Sequence, residues 1–191
     1  LLSLNKFTFS GKSLITTIFN GRANSSYSNT QGMLVKTLPI IVNGENRDML
    51  VEDYIKIVDK AWKEALIHSD YPYTKVSEDY QLKPEFFYAY HEFLDSDEMK
   101  INNKSYIPEE LAGAEQVAVD SKIMLSIYDN GDEFAIEVAY NDELYSEDYI
   151  RTFTKSLKDI LAQITENDVD TYRICDVRLK EDDGMHEFTE V

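Results

Sequence analysis

One cysteine, three histidines and a shortage of basic residues close off several common chemistries for this 191-residue chain. Cys175 stands alone, so an internal disulfide and a cysteine zinc cage are both excluded, and the usage fits a reducing cytosol. A solitary cysteine of this kind reads as a small buried hydrophobe. His68, His91 and His186 do not have metal-ligand spacing, so no metal site is expected. No apolar run approaches the roughly 20 residues that span a bilayer, which predicts a soluble, cytoplasmic protein. The motifs GxGxxG, GxxxxGK[ST], HExxH and GxSxG are absent. Nineteen bases face 36 acids, and a net charge of −17 argues against nucleic acid or an anionic membrane as partner. The acidic excess, including Asp182 and Asp183, reads as a solvated face rather than a catalytic dyad. The N-terminus lacks the basic leader of a signal peptide, and Leu1-Leu2-Ser3-Leu4 reads as cut from a longer chain.

What is present is enough for one core, at 43% hydrophobic and 12% aromatic residues. Residues Leu1–Asn5 read as the tail of a helix, followed by a turn over Phe7–Lys12 closed by Gly11. Ser13–Phe19 is uncharged and β-rich, which predicts a strand buried on both faces. After a polar loop over 20–31, Met33–Val42 reads as a second strand, and Pro39 places it at an edge or bulge because it removes a ladder donor.

From Asp48, the expected N-cap, the period changes to that of a helix. Val51, Tyr54, Ile55, Val58, Ala61, Trp62, Ala65 and Leu66 form one apolar stripe, His68 ends it, and Pro72 stops any continuation. Packing against a core is the default role for Trp62 and the tyrosines. His68 reads as a helix-end residue before it reads as a general base. Phe86–His91 is a short aromatic strand, and 94–120 is a long excursion with one helical turn near 109–114. Ser121–Tyr128 and Glu133–Tyr140 alternate around Asn130-Gly131, the signature of a type I′ hairpin. Ser146 then caps a final helix with Tyr149, Ile150, Phe153, Leu157, Ile160, Leu161 and Ile164 on its buried side. Tyr172–Leu179 reads as one last strand, and 180–191 as a tail.

Two segments flanking the first long helix carry a resemblance. Gly32-Met-Leu-Val-Lys36-Thr37-Leu-Pro39 resembles the G-x-F-V-N-T-L-P motif of condensation domains from nonribosomal peptide synthetases, and His68-Ser-Asp70-Tyr71-Pro72-Tyr73 resembles their H-Q-D-Y-P-F. Gly21-Arg22 matches the family's upstream G-R. Val138-Ala-Tyr-Asn141 with Leu144-Tyr145, and Arg173-Ile-Cys-Asp-Val177, resemble two further stretches in the correct order. Two departures stand out: Lys36 replaces the usual Asn, and only Lys83-Pro-Glu-Phe86 remains of R-D-x-S-R-N-P-L-F.

The resemblance implies an α/β fold, a lobe like that of chloramphenicol acetyltransferase, with a mixed, mostly antiparallel sheet and helices packed on it. Residues 1–179 would be the C-terminal lobe, with the N-terminal lobe absent. No catalytic residue is implied here, because the family's H-H-x-x-x-D-G lies on that other lobe. Arg22, Lys36 and Thr37 would lie near the floor loop of a substrate tunnel, and 94–120 near the crossover to the other lobe. Gly21, Gly32, Pro39, His68, Asp70, Tyr71 and Pro72 would be structural. No cofactor is implied as bound directly; phosphopantetheine arms of carrier domains deliver the substrates in the intact parent. The implied partners are the N-terminal lobe, carrier domains and an adenylation domain, with a homodimer through an exposed lobe face as a further expectation. A degenerate docking domain and a related free-standing acyltransferase are the alternatives.

Overall fold

The computed structural model describes residues 1–22, 27, 29–44, 46–91, 99–101, 104–106, 122–129 and 131–179. Its framework is a five-stranded sheet in the order β2-β1-β3-β6-β7, built from β1 (Lys12–Phe19), β2 (Lys36–Asn43), β3 (Phe86–His91), β6 (Ile123–Asp129) and β7 (Phe134–Tyr140). β4 (Met99–Ile101) and β5 (Lys104–Tyr106) form a separate two-stranded ribbon. The sheet is mixed, with most of its residue pairs antiparallel: β1·β2 and β6·β7 pair antiparallel over eight and seven positions, β1·β3 and β3·β6 parallel over three and six. The parallel steps follow from the long connections after β2 and β3, since only hairpin-linked strands here run antiparallel.

Register explains the sequence pattern. Ile40, Ile15, Phe86, Ile123 and Tyr140 are paired in turn, one apolar row across all five strands. This face carries the helices α1 (Leu2–Phe7), α2 (Val51–Ile67) and α4 (Glu147–Glu166). Leu38, Ile40 and Val42 of β2 meet Val51 and Tyr54 of α2 and Ile160 of α4 in one cluster. Each such fully buried aliphatic side chain contributes about 1.5–3 kcal/mol of transfer free energy. The opposite row is also closed at its centre, where Thr16, Phe87, Ala89 and Ser126 are buried. β1 is therefore covered on both faces except at its end, where Ile18 is exposed. Pro39 lies on the edge strand β2, where its missing donor is tolerated.

Several local expectations change. The strand expected from Met33 begins at Lys36. The left-handed residue in the first turn is Phe9 (φ 53°), not Gly11. α2 starts at Val51 with Leu50 as N-cap and no side-chain cap, so Asp48 does not hold that position. The reason is tertiary: the Val51 and Glu52 N–H groups donate to the carbonyls of Tyr172 (2.8 Å) and Val169 (3.2 Å), which satisfy the orphan donors that a cap would serve. The 172–179 segment is accordingly not a strand; it makes a single bridge, Arg173 to Leu50, and buries Ile174 and Val177. Cys175 in that segment is exposed rather than buried. Ile55 and Leu161, placed on apolar stripes, face outward.

A further helix, α3 (Tyr73–Tyr80), lies in a segment to which the sequence reading assigns no element. Pro72, taken only as a stop, also starts this helix, because a proline near the first turn loses no intrahelical bond. Ser146 caps α4 by accepting the Tyr149 N–H at 3.2 Å. Gly131 has the positive φ (83°) that the hairpin needs. Asn130, the turn near 109–114 and the tail 180–191 lie outside the described residues, as does most of the excursion.

Candidate functional site

The motif residues converge at the end of the sheet where β1 leaves and β2 enters. Gly21 has φ 69°, and a Cβ there would collide with the Leu34 carbonyl oxygen, so glycine is required on both conformational and steric grounds. Arg22 closes the same loop from within. Its guanidinium donates to the carbonyls of Gly32 (2.8 Å) and Thr30 (3.4 Å), and its backbone N–H to Asn20 Oδ1 (2.9 Å). Gly32 has φ 140° with open space around it, so its demand is conformational alone.

Lys36 and Asp70 join the two motif segments. The Lys36 ammonium donates to Asp70 Oδ1 across 34 residues of sequence, and this hydrogen bond holds the Asp70 carboxyl below its usual pKa. The side chain of Asp70 is 96% exposed and that of Lys36 33%, so the pair orients rather than stabilises. His68 is the exposed C-cap of α2, its N–H donating to Glu64 O at 3.2 Å and its carbonyl accepting from Tyr71 N at 3.0 Å.

Between β2, α2 and α3 runs an open groove of about 530 Å³. Thr37 and Pro39 line it from β2, His68 and Tyr71 from the turn, and Tyr73 and Val76 from α3. Tyr71 Oη donates to Asp79 Oδ2 at 2.9 Å, which pushes the Tyr71 phenol up. The groove thus gathers Thr37, Pro39, His68 and Tyr71, with Lys36 and Asp70 paired across the same motifs, while Gly21, Arg22 and Gly32 stay in the loop beyond. Its α3 wall was not anticipated. The signal was available: Tyr73, Val76 and Tyr80 at helical spacing directly after a proline.

The second altered motif, Lys83–Phe86, lies across the sheet. Glu85 pairs with the Lys122 ammonium and accepts from Tyr145 Oη at 3.3 Å. Burial and the nearby Glu85 carboxylate push the Tyr145 phenol up to about 12. Tyr145 stacks on Tyr149 with centroids 5.5 Å apart, and Phe7, Phe86 and Phe153 continue the aromatic cluster.

Residues 1–181 match the condensation-domain family model. The chain belongs to the condensation-domain family. Solved structures of similar fold include the condensation domain of the monacolin K polyketide synthase MokA, with TM-score 0.73 and 16% identity over 91% of this chain and 40% of that one. A second is holo-AB3403, a four-domain nonribosomal peptide synthetase bound to AMP and glycine, with TM-score 0.74 and 15% identity over 95% of this chain and 15% of that one. A third is the X-domain in complex with OxyB from teicoplanin biosynthesis, with TM-score 0.68 and 18% identity over 95% of this chain and 42% of that one. The chain therefore spans about two fifths of the solved condensation-domain chain from MokA and of the chain matched in the X-domain complex. No curated protein matches it. Among the described residues no helix is long and apolar enough to cross a membrane.

Proposed function

We propose that this condensation-domain chain is the C-terminal lobe of an amide-forming domain in a peptide-synthetase-type assembly. The observation that carries the reading is the match over residues 1–181 by a chain that spans only about two fifths of the solved MokA condensation-domain chain and of the chain matched in the X-domain complex, close to the proportion of one lobe in two. In the reaction an acceptor amine attacks the carbonyl of a donor thioester: the N–C bond forms, the C–S bond breaks, and the thiol leaves on the donor arm. The second His of the other lobe's H-H-x-x-x-D-G takes or positions the amine proton. Carrier domains bring both substrates on phosphopantetheine arms, which are cargo rather than resident cofactors. This lobe supplies a tunnel wall and a carrier-docking surface, with the Arg22-closed loop, Lys36 and Thr37 nearest the substrates.

The test uses the full-length polypeptide that carries this chain, with donor and acceptor carriers loaded with aminoacyl thioesters. Intact mass spectrometry of the acceptor carrier is expected to show the added donor group, and substitution of the second His to remove it. A second reading, a domain that docks partners without catalysis, is favoured by two features. Glu85 in the altered 83–86 motif is already tied to Lys122 and Tyr145, and one fold neighbour, the X-domain, is seen in complex with OxyB. Carriers that bind with no transfer for any loaded pair would establish that reading instead.

A further inference from the structure

We propose that the groove between β2, α2 and α3 docks an arginine carried on a proline-flanked, extended segment of a partner polypeptide. The inference does not depend on the amide-forming reaction; it rests on the groove's own chemistry. Its volume of about 530 Å³ suits one long side chain with the backbone on either side of it. Leu38, Pro39 and Val76 give an apolar floor for a methylene stem, and Tyr71 and Tyr73 stand beside it as rings.

The charge has one sign. Asp79 is the only acidic residue among the described lining residues, and no Lys or Arg lines the groove. Lys36, the nearest motif cation, is held by Asp70. Tyr71 fixes the Asp79 carboxylate through Oδ2, and Oδ1 takes no bond among the described residues. A carboxylate held at the rim of an aromatic trough matches a guanidinium better than an ammonium, because the planar cation stacks on tyrosine while donating in its own plane. The segment is extended but not a β-strand. Pro39 brings no N–H to the edge strand β2, which disfavours strand addition there, whereas a polyproline segment needs no ladder and packs well on aromatic walls.

The probe is fluorescein-labelled acetyl-Pro-Pro-Arg-Pro-Pro-amide, with the isosteric neutral citrulline peptide beside it, titrated by anisotropy against the full-length polypeptide carrying this chain. The arginine peptide is expected to bind saturably and about tenfold more tightly than the citrulline peptide, the size of one charge-assisted hydrogen bond. Asp79 is exposed, so Asp79→Asn is expected to keep the native circular dichroism and to make the two peptides bind alike. Tyr73→Ala is expected to weaken both. Equal binding of the two peptides by the unmodified protein overturns the proposal, as does no saturable binding, or an arginine preference that survives in Asp79→Asn.

Discussion

Two regions of this chain carry family motifs, and they are joined in different ways. At the β1–β2 end, the segments around Lys36 and Asp70 meet through one exposed ion pair, a loop closed by Arg22, and backbone shapes fixed by Gly21 and Pro72. At the β3–α4 side, the segments around Phe86 and Tyr145 meet through packed rings: Phe7, Phe86, Tyr149 and Phe153 touch edge-on or tilted at 5.2–5.5 Å. Packing energy scales with buried area, whereas an exposed ion pair gains little in water. The exposed ion pair therefore adds little to stability, whereas the packed rings, like the buried cluster that includes Leu38 of the first motif, hold the fold.

The comparison breaks most sharply at the packed side. Phe153 is 3% exposed and touches both Phe7 and Phe86, so Phe153→Ala leaves a cavity costing about 3–5 kcal/mol. Urea denaturation followed by circular dichroism is expected to show the midpoint fall by that equivalent, and an unchanged midpoint would mean that the aromatic cluster is not what anchors α4. A smaller loss, about 1–3 kcal/mol, is expected for Gly21→Ala, which forces a Cβ against the Leu34 carbonyl at positive φ. The same denaturation measurement tests it, and a neutral result would show that the loop relaxes around the new methyl.

Elements whose bonding is local were readable from sequence: the hairpin around Gly131 and the Ser146 cap each depend on residues within a few positions, and the strand Phe86–His91, though its partners β1 and β6 are distant, carries its signal in its own run of aromatics. The start of α2 was not readable in this way. Its donors are satisfied by carbonyls of Val169 and Tyr172, more than a hundred positions away, so no nearby capping residue marks it. Cys175 was misplaced for a related reason. The segment holding it is not a strand but a turn that docks on residues 47–51, burying Ile174 and Val177 and turning the thiol out. The groove went unseen because it needs α3, and Pro72 was taken as an ending when it is also a beginning. The partner of Lys36 could not be read from its neighbours either, because Asp70 lies in the other motif, 34 positions on.

The smallest effect on stability, and the most informative about the motifs, belongs to that pair. Lys36→Ala is expected to leave the denaturation midpoint unchanged, because an ion pair with one side chain almost fully in water is screened and costs side-chain entropy to hold. Its signature is in titration instead. Asp70 has a native pKa below the ordinary 3.8 because the Lys36 ammonium donates to its charged form. A depressed native value means that the pair's contribution is present above pH 3.8 and disappears as the pH falls through the lower native pKa. Carboxyl chemical shifts followed by NMR are expected to show Asp70 titrating below 3.8 in the native protein and returning toward 3.8 in Lys36→Ala and in Lys36→Asn, the residue usual in the family. An Asp70 titration that ignores both substitutions would show that the two motifs are not tied through this pair in solution, and would leave the Arg22 loop, Pro72 and the burial of Leu38 to hold that end.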